Sequence, residues 1–217
     1  MEPKHHPDPS TIVAYAAGSV TESFSLLIAA HTESCAKCRN EITQAETLGA
    51  DLIRELPPVA MANSDLTQLW ETIDMPVKSE QPKDHRISTN GLPGILSPFF
   101  PGGLRAVKWR SLVPGIQHHQ LMGVESGSGG IRLLRIAQGV NIPDHTHLGS
   151  ELTLILQGSY SDEMGNFKCG DLSDADSSIR HHPVVDSEQP CICLIATDER
   201  LVFSSVLNRM IQPLIGI

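Results

Sequence analysis

The apolar positions of this chain change their period partway along it. Up to Leu56 they recur at three- and four-residue steps, the spacing of one helix face. "PSTIVAYAAG" predicts a short helix from about Ser10, ended by Gly18, and "TESFSLLIAAH" a second, capped by Thr21, with Phe24, Leu27 and Ile28 on one side. A third is expected from a cap at Ser34, with an apolar stripe of Ile42, Ala45, Gly49, Leu52, Ile53 and Leu56 that stops at Pro57 and Pro58. Together these read as a compact helical bundle. Further on, "SDLTQLWETIDM" begins at Ser64 or Asp65 and sets Leu66, Leu69, Trp70 and Ile73 on one face of an amphipathic helix standing apart from the bundle. That face is either ordinary core or a partner-binding surface.

The stretch from Pro76 to Gly94 is polar and rich in Pro and Gly, which is linker composition. Beyond it the period falls to two: "IRLLRIAQG", "ELTLILQGSYSD" and "CICLIATD" alternate or run apolar over strand lengths between turn residues. Many short strands without intervening helices predict a sandwich or barrel. The expected organisation is a multidomain α plus all-β chain: a helical domain at 1–75, a linker at 76–94 and a β-domain at 95–217.

Composition narrows the function. With 40% hydrophobic and 19% charged residues the chain is ordinary globular protein, and a net charge of −9 argues against direct nucleic-acid or anionic-membrane binding. The charge is uneven: up to Met75 there are four Lys and Arg against eleven Asp and Glu, a net −7. No apolar leader and no membrane-span-length run is evident, and five cysteines do not form a disulfide framework, so a reducing cytoplasm is expected.

Two constellations carry chemistry. In "HTESCAKC", Cys35 and Cys38 are spaced to reach one ion at the start of the third helix, where the helix dipole favours negative sulfur, and His31 adds a third donor across the turn. The tail supplies a fourth from His5 or His6, which spacing alone leaves open. Two thiolates and two imidazoles suit a closed, structural Zn2+ site that staples a small module. A thioredoxin-like redox pair is the rival, but no strand precedes Cys35.

The second is "GVNIPDHTHLGSELTLILQG", which reads G-x5-H-x-H-x3-E-x6-G. His145 and His147 fall two apart on a strand, and Glu151 returns on the next, so the three converge. A set of imidazoles and a carboxylate accepts Zn2+ or another divalent transition metal. Cys191 and Cys193 share a face of a probable strand and read as buried core, with oxidant-responsive thiols as the alternative.

The pattern "HHPDPSTIVAYAAGSVTESFSLLIAAHTESCAKC" resembles the zinc-binding anti-sigma domain, which implies that His6, His31, Cys35 and Cys38 are the zinc ligands. The H-x-H-x3-E stretch is similar to the first motif of the cupin superfamily, which implies a β-barrel and a further His ligand from "IRHHPV", His181 or its neighbour His182, with His181 carried forward. The second cupin motif lacks its usual P-x-G and Asn. In that order, over essentially the whole chain, the two motifs resemble ChrR-type zinc-dependent anti-sigma factors. The resemblance implies a non-enzymatic protein that sequesters an extracytoplasmic-function sigma factor through its N-terminal zinc domain. Release would follow an oxidative signal, singlet oxygen or peroxide, sensed by the cupin-like domain. A module of charge −7 suits competition for a basic promoter-binding surface. The alternative is a metal-dependent cupin oxidase or dioxygenase with a zinc-binding interaction domain.

Overall fold

Residues 2–59, Trp70, Ile73, 91–121, 130–143, 145–147, 149–199 and 201–203 are described by the computed structural model. Three helices open the chain, α1 (Pro9–Ala16), α2 (Glu22–Thr32) and α3 (Ala36–Arg54). Each begins where the side chains dictate. Asp8 caps α1 by accepting from the Ser10 amide at 2.8 Å, with Pro9 in the first-turn position that needs no N–H. Thr21 caps α2 through the Phe24 amide. The cap of α3 is Cys35, one residue later than the expected Ser34: its Sγ accepts the Cys38 amide at 3.4 Å, while the Ser34 hydroxyl turns back to the His31 carbonyl.

The stripe along α3 is only half used. Cys38 and Ile42 are buried, but Leu52 is 58% and Ile53 69% exposed, and Leu48 and Leu56 are exposed with them. Length explains it. A 19-residue helix runs roughly 28 Å at about 1.5 Å per residue, and its 8- and 11-residue neighbours are too short to cover it. Trp70 and Ile73 are helical and exposed; Leu66 and Leu69 of that predicted face lie outside the described residues.

The strands that follow are β1 (Arg110–Val113), β2 (Ile116–Gln120), β3 (Gly130–Ile136), β4 (His145–His147), β5 (Glu151–Gln157), β6 (Ser159–Asp162), β7 (Gly165–Lys168), β8 (Leu172–Ala175), β9 (Val184–Val185), β10 (Cys191–Thr197) and β11 (Leu201–Phe203). They form a six-stranded antiparallel sheet ordered β1-β2-β3-β10-β5-β8, a three-stranded sheet β7-β6-β9 and the pair β11-β4. Among the described residues the strands divide among these sheets rather than closing the single β-barrel that the cupin resemblance implied.

The runs "ELTLIL" and "CICLIA" are apolar on both faces because both faces of the sheet are covered. Leu152, Leu154 and Leu156 of β5 and Ile192, Leu194 and Ala196 of β10 look outward and share one core with Phe24, Leu27 and Ile28 of α2 and with Leu92 and Leu96. The alternate residues, Ile155, Cys191 and Cys193, look inward and pack with Tyr160, Phe167 and Val185. Each fully buried Leu, Ile, Val or Phe among these contributes about 1.5–3 kcal/mol. α2 is therefore the outer cover of the central sheet. Glu33, just past α2, adds a polar clasp: its carboxylate accepts the Gly94 and Ile95 amides at 2.6 and 2.8 Å.

Candidate metal centres

His6, His31, Cys35 and Cys38 are brought together with their donor atoms all within 4.8 Å of one another. The helix ends do the positioning. His31 sits in the last turn of α2, Cys35 caps α3, Cys38 is in its first turn, and His6 is in the tail before α1. His31, Cys35 and Cys38 are fully buried. The Cys38 sulfur lies 3.3 Å from His31 Nε2 and 3.5 Å from His6 Nδ1, and the Cys35 sulfur 3.4 Å from His6 Nδ1. A zinc ion bonded at about 2.0–2.3 Å sets its tetrahedral ligand edges at roughly 3.3–3.8 Å, so these separations are those of ligands around one ion.

Electrostatics agrees. Burial holds the His31 and His6 imidazoles below their ordinary pKa, in the neutral form that ligates. Burial and the neighbouring Cys35 push the Cys38 thiol up to about 12. A dication bound beside the buried Cys38 sulfur would supply the charge that favours its thiolate. His31 Nδ1 donates to the Gly170 carbonyl at 2.8 Å, an acceptor that has no proton to give, so the ring presents Nε2 to the sulfurs. His5, the alternative left open by spacing, is not part of the group; its ring lies over Phe167, 4.1 Å between centroids.

A second group joins His145, Glu151 and His181, all buried, again within 4.8 Å. His145 on β4 and His181 form an antiparallel bridge, and Glu151 opens β5 on its inner face. Thr153, two residues on, donates to the Glu151 carboxylate at 3.1 Å. His147 occupies its place in β4, with its side chain outside the described residues. His182 is half-buried and absent from the group.

Both rings of this site are fixed from behind. His145 Nδ1 donates to the Pro143 carbonyl at 2.8 Å, and His181 Nδ1 to the buried Asp162 carboxylate at 2.9 Å. Their Nε2 atoms then face each other at 3.1 Å. Two neutral imidazoles so placed point lone pair at lone pair, an arrangement that calls for a shared cation or a proton. Burial opposes a charged His181, yet the Asp162 hydrogen bond and the Glu151, Asp162 and Glu163 charges outweigh it and raise its pKa. The donor set fits a divalent metal, with His145, Glu151 and His181 to hold it.

Cys191 and Cys193 lie on the inner face of β10, with Cys193 opposite Ile155. Hydrogen bonding from Cys191 and burial keep the Cys193 thiol protonated, well above its ordinary pKa. Several residues that shape the sites carry no sequence motif. Asp162 is one, and its local signal is a turn: Oδ1 accepts the Met164 and Gly165 amides while Oδ2 orients His181.

A helical His/Cys module laid over a cupin-like sheet domain with an interior His/Glu/His group is the class that fold and sites define. Residues 103–200 match the family model described as the ChrR cupin-like domain. The chain is 36% identical over 213 residues, 98% of each chain, to the anti-sigma-E factor ChrR of Cereibacter sphaeroides. It superposes on the anti-sigma ChrR in the crystal structure of Rhodobacter sphaeroides SigE in complex with the anti-sigma ChrR, with a TM-score of 0.74 and 34% identity, covering 91% of this chain and 100% of that one. The chain belongs to the ChrR family of anti-sigma factors. No helix among its described residues is long and apolar enough to cross a membrane.

Proposed function

We propose that this protein is a cytoplasmic, non-enzymatic anti-sigma factor. It sequesters an extracytoplasmic-function sigma factor through its N-terminal module, residues 1–75, joined by a linker at 76–94 to a sensor domain at 95–217. The observation that carries the reading is the correspondence over 91% of this chain with a ChrR solved in complex with SigE. Local physics supports it: the far half of α3 offers Leu48, Leu52 and Ile53 to solvent and Leu56 just past its end, with Trp70 and Ile73 exposed further along, and such a set is what a partner helix or groove covers.

His6, His31, Cys35 and Cys38 would hold Zn2+, which supplies charge neutralisation and a cross-link between the tail, α2 and α3. His145, His147, Glu151 and His181 would hold Zn2+ or another divalent transition metal. The signal, singlet oxygen or a peroxide, acts at this second site. Loss of a ligand there, or oxidation of Cys191 and Cys193 on the adjoining strand, changes the packing of the sheet against α2 and lowers the affinity of the helical module for sigma. At rest the buried Cys193 stays a thiol and resists adventitious oxidants.

Reconstituted transcription tests this. The purified full-length chain added to core polymerase, the sigma factor and its promoter should abolish transcription, and Cys35→Ser/Cys38→Ser should fail to do so. Peroxide or photogenerated singlet oxygen should restore transcription in the presence of the wild type but not of His145→Ala/Glu151→Ala. A wild-type chain that forms no complex with any sigma factor of its own cell overturns the reading.

A further inference from the structure

We propose that the turn joining β7 to β8, Lys168 to Leu172, is a built part of the His/Cys site. It positions two of the four donor residues, so the grip of the helical module on its metal depends on the sheet domain. The inference rests on the metal-binding reading above and adds to it residues that are not ligands.

The four donors are held in different ways. Cys35 and Cys38 are fixed by α3 itself, through the cap in which one sulfur takes the other residue's amide. His31 and His6 depend on the β-domain. The His31 ring is set by the Gly170 carbonyl, 139 residues away in sequence. Gly170 adopts φ +95°, a conformation that glycine takes without strain, and a Cβ there would lie 3.4 Å from Pro3.

His6 belongs to an extended tail with no helix to hold it. The flanking backbone is pinned instead by Asp171, whose buried carboxylate accepts three amides: Lys4 at 2.6 Å and His5 at 3.1 Å on Oδ1, and Lys168 at 2.8 Å on Oδ2. The Leu172 amide donates back to the His5 carbonyl at 3.2 Å, so the tail is tied to the start of β8 by a backbone bond as well. Further along, the Asp8 amide donates to Asp174 at 2.9 Å. The His5 side chain completes the strap, bonding the Asn166 carbonyl at 3.1 Å and packing on Phe167. His5 and His6 thus divide the work of one dipeptide, one facing the sheet domain and the other the thiols.

β7, which leads into the turn, pairs with β6, the strand that ends at Asp162. Phe167 stacks on Tyr160 at 4.9 Å, and Tyr160 stands two residues before Asp162, the carboxylate that orients His181. The strand that leads into the turn is thereby packed against the strand that ends at Asp162.

Cobalt(II) binding to the full-length chain tests the inference, because thiolate-to-cobalt charge-transfer absorption reports the His/Cys site and not the sulfur-free one. Asp171→Asn keeps the shape but places an amide NH2 where a carboxylate oxygen met backbone donors. It should weaken cobalt binding roughly tenfold or more, the usual effect of losing a group that orients a ligand, with the thiolate bands retaining their shape. His5→Ala should act in the same direction and serves if Asp171→Asn does not fold. A core variant of similar thermal stability, Leu194→Val, should leave cobalt affinity unchanged, which separates positioning from general loosening. Affinity within twofold of wild type in a folded Asp171→Asn or His5→Ala chain overturns this inference alone. Absence of thiolate bands in the wild type overturns the metal reading and this inference together.

Discussion

His31 and Gly170 are joined by one hydrogen bond across two domains: the imidazole Nδ1–H donates to the carbonyl at 2.8 Å. A donor atom of the helical module is thereby oriented by the backbone of the β-domain. The shared core under α2 makes the same connection on a larger scale. Several measurable consequences follow from these two facts.

One is cooperativity. Leu27 on α2 and Leu194 on β10 are fully buried in the same cluster, and truncating either to Ala should cost about 2–5 kcal/mol. Helical and near-ultraviolet circular dichroism should report the same midpoint in wild type and in both variants. Two separated transitions would show that the domains melt independently.

Thiol accessibility gives a second. In the zinc-loaded chain only the exposed Cys169 should react promptly with a thiol reagent, since Cys35, Cys38, Cys191 and Cys193 are buried. Stripping the metal with a chelator should expose Cys35 and Cys38 as newly reactive. Mass mapping of the labelled residues checks this, and equal labelling of Cys35 before and after chelation would contradict it.

The pH dependence of the metal-free chain should reveal His181. Its folded pKa is raised, so the stability it contributes with Asp162 is complete below the ordinary histidine value of 6.5 and is lost as pH rises through the folded pKa. Asp162→Asn should therefore lower the melting temperature most at or below pH 6.5, at roughly 2–4 °C per kcal/mol for a chain of this size, with the difference shrinking above it. A difference that grows with pH would reverse the assignment.

Charge placed on α3 separates docking from folding. Leu52→Asp and Ile53→Asp change exposed side chains and should leave the melting temperature within about a degree or two. If this face docks sigma, the pair should weaken the complex at least tenfold, the order expected when central apolar anchors are lost. Unchanged sigma affinity, measured by calorimetry, would move the docking surface elsewhere.

Much of this was legible from residue order. The caps at Thr21 and near Cys35, the strands around "ELTLILQ" and "CICLIAT", and the gathering of His31, Cys35 and Cys38 all follow from local rules acting over a few residues. What was hidden is non-local. The stripe on α3 looked like core because periodicity records amphipathicity and not what covers it; Ile42 found a partner and Leu52 did not. The apolar runs of β5 and β10 read as strands of a sandwich or barrel, but nothing in them named α2 as the cover of one face. Asp162 and Asp171 are ordinary turn aspartates by sequence, and their roles arise from residues 19 and 167 positions away. His5 and His6, which spacing alone leaves equivalent, are distinguished in the structure by what each faces: His5 packs on Phe167, and His6 joins the thiols.

The cover over the central sheet also bears on how the chain is made. Leu27 leaves the ribosome well before Leu194, an interval on the order of ten to thirty seconds at ordinary elongation rates. During it α2 is an amphipathic helix whose final packing surface has not yet been synthesised. The nascent chain has to shelter that helix by other means, and any protein surface offered to it in that window competes with a sheet that does not yet exist.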